Sequence, residues 1–316
     1  MLSERKFDSM MNNTCPVCSS NFGNQDFKTI PYATQTREEE KPQLICFCQN
    51  CGVGFAFPPL SEVQLQKFYS KGEYWRDPQI RILSVRSHPG QYVLAKARWE
   101  FIEPYLKSLR KTENISILDF GAGHGFFGMM GASSPSFRIG HYTAIESDAC
   151  VRVSLMKTWE SKFSSIDIRA AEDLEKIKET YDLIVLSHIV EHVIQPKDFL
   201  KSFLKFLRPG GLIFIDVPHA DYLYKKDVFP HLLFFNLDSL KKLIEESGLC
   251  LISIGCYGRS MKIAANDRGL LEIVEKMVFK SRFILPKSVL TQFFMKYLNA
   301  DQQNDEGIWI RALAKV

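Results

Sequence analysis

The chain has 316 residues, of which 46% are hydrophobic and 24% charged, with a formal net charge of +4. That composition is ordinary for a globular protein and excludes the collagen-like and disordered classes. The charge is too slight, and too evenly spread, to argue for a partner whose phosphates must be neutralised, so nucleic acid is not expected.

The polar start Met1–Asn13 carries no apolar leader. No run of about 18 apolar residues occurs to span a bilayer. The expectation is a cytoplasmic protein with one large α/β domain and a smaller appendage.

In chain order, the first feature is a pair of C-x-x-C knuckles, Cys15-Pro-Val-Cys18 and Cys48-Gln-Asn-Cys51-Gly52, separated by a polar stretch suited to a hairpin. Each knuckle turns two thiolates toward one point, and four thiolates make the closed tetrahedral shell of structural Zn²⁺. Neither pair follows a strand of a βαβ unit, which argues against a redox C-x-x-C. Residues 1–60 are therefore expected to form a zinc-ribbon-like module. Cys46 has the wrong spacing, and Cys150, Cys250 and Cys256 fall in segments that read as core, so these four are expected to be structural. Arg37-Glu-Glu-Glu-Lys41 reads as a solvated loop.

Residues 61–110 read as a helical connector. Ser61 is placed to cap a helix from Glu62 to Tyr69. Tyr69, Tyr74 and Trp75 are candidates for stacking on an acceptor, set against ordinary packing. From Gln91 to Leu109 the apolar residues Val93, Leu94, Ala97, Phe101, Ile102 and Leu106 recur at helical spacing.

From residue 111 to 316 short apolar runs alternate with helical patterns: Ile115–Phe120, Tyr142–Glu146, Ile166–Ile168, Tyr181–Ser187 and Leu212–Val217. This is the pattern of a doubly wound parallel sheet. Two later strands, Cys250–Cys256 and Ile308–Ala314, flank a helical insert at about 262–304.

Chemistry concentrates where the first of these strands becomes a helix, at Asp119-Phe-Gly121-Ala-Gly123-His-Gly125. Glycines there let the backbone approach a ligand, and the following helix offers free N–H groups. Glu146 ends the next strand, about 20 residues on, where Rossmann folds grip ribose hydroxyls.

At these residues the sequence resembles the class I S-adenosylmethionine-dependent methyltransferases. The run ending in Asp119-Phe-Gly-Ala-Gly-His-Gly is similar to their D-x-G-x-G-x-G motif, and Glu146 matches their acidic ribose ligand. Ala171-Glu172-Asp173-Leu174 falls where they surround the adenine. Tyr181-Asp-Leu-Ile-Val-Leu-Ser-His-Ile-Val-Glu191-His192-Val is similar to their fourth motif, and Leu207-Arg-Pro-Gly-Gly211 to the lead-in to their fifth strand. The resemblance implies a Rossmann-like seven-stranded sheet with an antiparallel last strand. It also implies S-adenosylmethionine held by Asp119, Gly121, Ala122, Gly123, Gly125, Glu146, Ser147, Glu172, Asp173, Ser187 and His188.

The cysteine knuckles followed by Phe55-Ala-Phe-Pro-Pro-Leu-Ser61 resemble a narrower group, bacterial methyltransferases with an N-terminal zinc module that act on sugar-nucleotide, polysaccharide or secondary-metabolite precursors. This implies a small-molecule acceptor such as a sugar nucleotide. Val217-Pro-His219 and Pro230-His231-Leu-Leu-Phe-Phe-Asn236 match the stretch where that group keeps a histidine near the reaction centre. His231 is the first candidate for a general base and His219 the second. Deoxysugar C-methyltransferases show Tyr-His-Glu-His-Leu where this chain has Val228-Phe-Pro-His231-Leu, so transfer to oxygen or nitrogen is expected.

His188, Glu191 and His192 form an H-x-x-E-H pattern like that of inverzincin metal sites. Its place after the fourth strand assigns Glu191 and His192 to the substrate side, or to bracing the turn by hydrogen bonds. A metal-assisted reaction there stays open. So do an RNA or protein acceptor docked by the zinc module, and a non-catalytic cofactor-binding subunit.

Overall fold

A computed structural model of the chain describes residues 14–21, 28–35, 41–61, 63–65, 68, 88–108, 112–267 and 286–316. Tyr69, Tyr74 and Trp75, most of the Arg37–Lys41 run and the middle of the late insert lie outside the described residues. No described helix is long and apolar enough to cross a membrane.

The large sheet holds seven strands: β4 (Ile115–Phe120), β5 (Ile139–Ile145), β6 (Asp167–Ala171), β7 (Tyr181–Ser187), β8 (Leu207–Pro218), β10 (Cys250–Ser260) and β11 (Gly307–Lys315). Their spatial order is β10-β11-β8-β7-β4-β5-β6. Strands β4 to β8 pair in parallel, while β11 runs antiparallel between β8 and β10. The expected Rossmann-like seven-stranded sheet with an antiparallel last strand is present.

The central strands are apolar on both faces because helices cover both. Alternate residues serve opposite layers, as the pleat requires. Ile117, Leu183, Val185, Leu212 and Phe214 face one core, and Leu118, Ile184, Leu186, Ile213 and Ile215 the other.

The first core is closed by α1 (Pro89–Ser108), α2 (Phe126–Ala132) and α3 (Ala149–Lys162), through Trp99, Ile102 and Leu106, then Phe127 and Met129, then Leu155 and Trp159. Thus α1, read from sequence as part of the connector, packs into the core of the large sheet. The opposite core is closed by α4 (Pro196–Phe203) and α5 (Leu237–Glu246). Late in the chain, α6 (Met261–Asn266) and α7 (Lys287–Leu298) join α1 in a smaller cluster built on Val93, Ala97, Phe294 and Trp309.

The N-terminal module contains β1 (Lys28–Pro31), β2 (Leu44–Phe47) and β3 (Gly54–Phe57), an antiparallel set whose hairpin joins the two cysteine knuckles. Its fourth strand comes from far along the chain: β9 (Leu233–Phe234) pairs with β3. The module's buried residues Val17, Ile45, Val53 and Phe55 belong to the same core as Ile184 and Ile213. Beyond β3, Ser61 and Gln64 exchange hydrogen bonds, the Ser61 N–H to Oε1 at 2.7 Å and the Gln64 N–H to Oγ at 3.3 Å. That is the capping box expected of a helix start.

Two cysteines depart from expectation. Cys46 and Cys256 are buried, but Cys150 and Cys250 are exposed. Cys150 lies in the first turn of α3 on the side that also exposes Val153, and Cys250 opens β10, the edge strand of the sheet, so both face away from the cores.

Candidate functional site

The chain leaves β4 for β5 and β6, then crosses back to β7 on the other side of β4. This reversal opens a crevice at the carboxyl ends of the strands, where α/β sheets bind ligands. A cavity of about 560 Å³ lies there.

Its floor is the glycine loop. Gly121 has φ +70°, where any side chain is strained, and a Cβ on it would stand 2.2 Å from Ile189 Cδ1, which would have to move. The Gly123 N–H donates to Glu146 Oε2 at 2.9 Å, and the Asp148 N–H donates to Oε1 at 2.9 Å. Oε2 therefore keeps a second lone pair for a ligand hydroxyl, and Oε1 has beside it only a long contact from Ser147 Oγ at 3.5 Å, which a ligand hydroxyl can displace. Burial pushes the Glu146 carboxyl up, against these two bonds. Asp119 lies deeper and accepts from Tyr142 Oη at 2.6 Å; burial pushes its carboxyl up to about 7.

Of the residues expected to bind cofactor, Asp119, Gly121, Ala122, Gly123, Glu146, Ser147, Glu172, Ser187 and His188 line the cavity. Gly125 stands behind it at the N-cap of α2, and Asp173 turns away to accept from the Glu175 N–H at 3.1 Å. Arg98, which sequence reasoning missed, also lines the cavity and pairs with Asp216 at the end of β8. A signal existed: Leu94, Arg98 and Ile102 share one helical face, and a cation on an apolar stripe needs a partner.

Against the cavity wall stands a buried polar cluster. His188, in the left-handed region at φ +55°, presents Nδ1 to Glu191 Oε1 at 3.1 Å. Backbone conformations of this kind concentrate at functional sites. His192 lines the cavity, and its ring packs edge-on against His231 with centroids 4.7 Å apart. His231 Nδ1 lies 2.9 Å from Asp221 Oδ2, and Lys225 Nζ lies 2.9 Å from the same oxygen.

Burial pushes His192 down to about 3, so it is neutral near pH 7. Burial opposes ionisation of Glu191 and Asp221 as well, but for Glu191 the His188 hydrogen bond and for Asp221 the His231 and Lys225 charges outweigh it and hold both carboxyls low. Ligand-type atoms of Glu191, His192 and His231 all lie within 4.8 Å of one another. Neither candidate histidine belongs to the cavity lining: His231 stands behind His192, while His219 is placed elsewhere, its Nδ1 facing the Gly307 carbonyl at 2.9 Å and the Cys256 thiol at 3.4 Å.

The four knuckle cysteines converge. Cys15 and Cys51 stand 3.6 Å apart, as do Cys18 and Cys48, and all four sulfurs lie within 4.8 Å of one another. Sulfurs at ~2.3 Å from a tetrahedral ion stand about 3.8 Å apart, so the spacing fits Zn²⁺. The Val17 N–H and the Asn50 side-chain amide each reach a sulfur at 3.4 Å, donors suited to thiolate charge. Contact with Cys51, then burial, pushes the Cys15 thiol up; at Cys18 hydrogen bonds from Ser20 and Asn50 outweigh burial and hold the thiol at about 6.

A methyltransferase-domain family model matches residues 92–254, just over half of the chain. A ubiquinone biosynthesis O-methyltransferase of Rhizobium etli is 34% identical over 113 residues, which is 34% of this chain and 43% of that protein. The chain thus spans less than half the length of the first curated relatives. The corresponding protein of Dinoroseobacter shibae is 26% identical over 208 residues, 59% of this chain and 81% of that one. The magnesium protoporphyrin IX methyltransferase of Synechocystis, solved with S-adenosylhomocysteine, is 8% identical with a TM-score of 0.49, covering 81% of this chain and 99% of that one. With a glycine loop beside the Glu146 carboxylate and a matched domain over half its length, the chain belongs to the methyltransferase-domain family of class I S-adenosylmethionine-dependent methyltransferases.

Proposed function

We propose that this protein transfers the S-adenosylmethionine methyl group to an oxygen or nitrogen of a small molecule such as a sugar nucleotide. The observation that carries this reading is the cavity in which the Gly121–Gly123 backbone and Glu146 face a space of nucleoside size, with the His188–Glu191–His192 wall beside it. The curated relatives are named as O-methyltransferases, which supports an oxygen acceptor.

The bound cofactor supplies a methyl group already carried on a good leaving group. What remains for the protein is to align the acceptor, exclude water and take up a proton. Glu146 offers two carboxylate lone pairs to the ribose diol. Arg98, which lines the cavity, would hold the cofactor's carboxylate. His231 is the proton acceptor in this reading. Asp221 can only accept, so the 2.9 Å approach of its Oδ2, an ion-pair distance without hydrogen-bond alignment, favours a proton on His231 Nδ1 and leaves Nε2 as the basic atom. Zn²⁺, held by Cys15, Cys18, Cys48 and Cys51, is assigned a structural part.

The test is turnover of labelled cofactor against sugar nucleotides, small phenols and RNA. His231→Ala is expected to lower kcat on the accepted substrate by about 100-fold or more, the ordinary worth of a general base. Wild-type turnover by the variant would remove the assignment, and turnover confined to RNA would overturn the small-molecule reading.

Two further outcomes concern the cofactor pocket. Glu146→Ala is expected to weaken S-adenosylhomocysteine binding by about 30-fold or more, from the loss of charge-assisted hydrogen bonds worth ~2 kcal/mol. Isothermal calorimetry reads this directly.

Asp119 makes binding pH-dependent. Its carboxyl is neutral below about pH 7 and ionised above it. A ligand bearing an ammonium group prefers the ionised form, so affinity should rise about tenfold from pH 6 to pH 8, with release of a proton. Asp119→Asn should flatten that dependence, measured as calorimetric heat in buffers of different ionisation enthalpy.

A further inference from the structure

The segment that carries His231 makes few of its backbone hydrogen bonds to the domain that follows it in sequence. They go to the N-terminal module. The Val228 N–H donates to the Ala33 carbonyl at 3.0 Å. Tyr32 Oη, 6% exposed, reaches the His231 carbonyl at 2.9 Å and the Val228 carbonyl at 3.2 Å, so one buried hydroxyl closes both ends of the turn. One residue on, the Ala56 N–H donates to the Leu232 carbonyl at 2.8 Å, and β9 then continues the module's sheet. The same module reaches the partner of His231: the Phe47 ring packs edge-on against Tyr222, next to Asp221, at 5.3 Å. From the opposite side the Leu232 N–H donates to the Glu191 carbonyl at 2.7 Å.

From this we infer that Tyr32 is a positioning residue and that the N-terminal module is a clamp, fixing the His231 turn between its own sheet edge and Glu191. The turn carries its own bond, from the His231 N–H to the Val228 carbonyl at 2.8 Å, so the single Tyr32 proton acts chiefly on the nearer His231 carbonyl and ties the turn to the module there, because a buried carbonyl left unpaired is costly. The cofactor cavity is lined mainly from α1, β4, β5 and α2, it meets the clamped turn only through His192, and none of its lining residues belongs to the module. The clamp therefore controls the geometry on the acceptor side while leaving cofactor binding alone. Its consequence for turnover rests on His231 being the proton acceptor, as proposed above; the clamp itself does not.

The experiment uses full-length protein with ¹⁵N-labelled histidine and needs no acceptor. In wild type the His231 Nδ1 proton, buried and facing Asp221 at 2.9 Å, is expected to give an NMR signal protected from solvent, assigned by its absence in His231→Gln. In Tyr32→Phe that proton should exchange at least about tenfold faster, as expected when a buried hydrogen bond is lost. The variant should keep its zinc content and bind S-adenosylhomocysteine within about twofold of wild type. Ile45→Val, which loosens the module's core without touching the turn, should leave the His231 signal as it is.

An unchanged exchange rate in Tyr32→Phe overturns the inference, and so does equal acceleration in Ile45→Val. A measurement on wild type alone gives an independent check: the Val228 amide should be as protected as the Ala56 amide, and a Val228 amide exchanging like an exposed loop would sink the clamp. Failure of wild type to bind S-adenosylhomocysteine would instead defeat the functional reading and leave the clamp standing.

Discussion

Cys48→Ser is expected to yield protein without stoichiometric zinc and with an N-terminal sheet that no longer forms as a unit. A structural zinc site contributes folding free energy outright, ~10 kcal/mol or more in small isolated modules. Here the sulfurs are buried at the hub of that sheet, with Cys15 1% and Cys48 2% exposed. Part of the module's stability comes from elsewhere, since Ile45, Val53 and Phe55 pack into the core that also holds Ile184 and Ile213. The loss should therefore be partial in extent but large in size, at least about 3 kcal/mol, and should appear as early amide exchange in β1 to β3. Elemental analysis of wild-type protein purified without chelator should find one zinc per chain. A metal-free wild type with a stably folded sheet would refute the zinc assignment.

That experiment bears on what was legible in the sequence. The knuckles could be read because a C-x-x-C turn is local: two residues fix the direction of two thiols. The glycine loop and Glu146 were legible for the same reason, since a strand, a tight turn and a helix leave a consecutive signature. Strands β4 and β7 showed their bounds because a buried parallel strand is a short, mostly apolar run, whereas β8 extends five residues further toward its N-terminus, through Leu207-Arg-Pro-Gly-Gly211, which reads as a turn.

What the sequence did not reveal is non-local. The Asp221–His231 pair joins a short 3₁₀ turn to a loop ten residues on, and no periodicity links them. Nor does anything in Leu233-Phe234 announce that these two residues complete a sheet begun at Lys28. Such pairings are decided by which edges remain unpaired once the large sheet has formed.

Asp216 is the plainest case of a site residue hidden by its surroundings, and its replacement carries the second large effect. It sits in an apolar strand, Leu-Ile-Phe-Ile-Asp-Val, which the sequence shows as a short strand of the sheet with nothing to single out its one acid. Its carboxylate is fully buried and stands between two cations, Arg98 from α1 and Arg311 from β11, with Arg311 Nε 3.8 Å from Oδ1. Burial pushes the Arg311 guanidinium down to about 10 while Asp216 resists it, which identifies the carboxylate as the group that makes a buried cation tolerable.

Asp216→Ala removes that anion and leaves two guanidinium groups facing each other in a medium of low dielectric. The expected cost is ~3–5 kcal/mol, the usual penalty for breaking a buried ion pair by deleting one partner. Denaturant unfolding would read it as a lower midpoint. The electrostatic origin is separable from a cavity effect. Adding Arg311→Met should recover about 2 kcal/mol or more of the loss, because replacing a buried pair by apolar side chains is far less costly than orphaning one charge. Arg98 then remains at the cavity without its partner, so the double variant should fold better than Asp216→Ala yet bind S-adenosylhomocysteine with altered affinity. Additive losses in the double variant would mean that Asp216 contributes by filling space, and that the cavity's cation is held in place by something other than its charge.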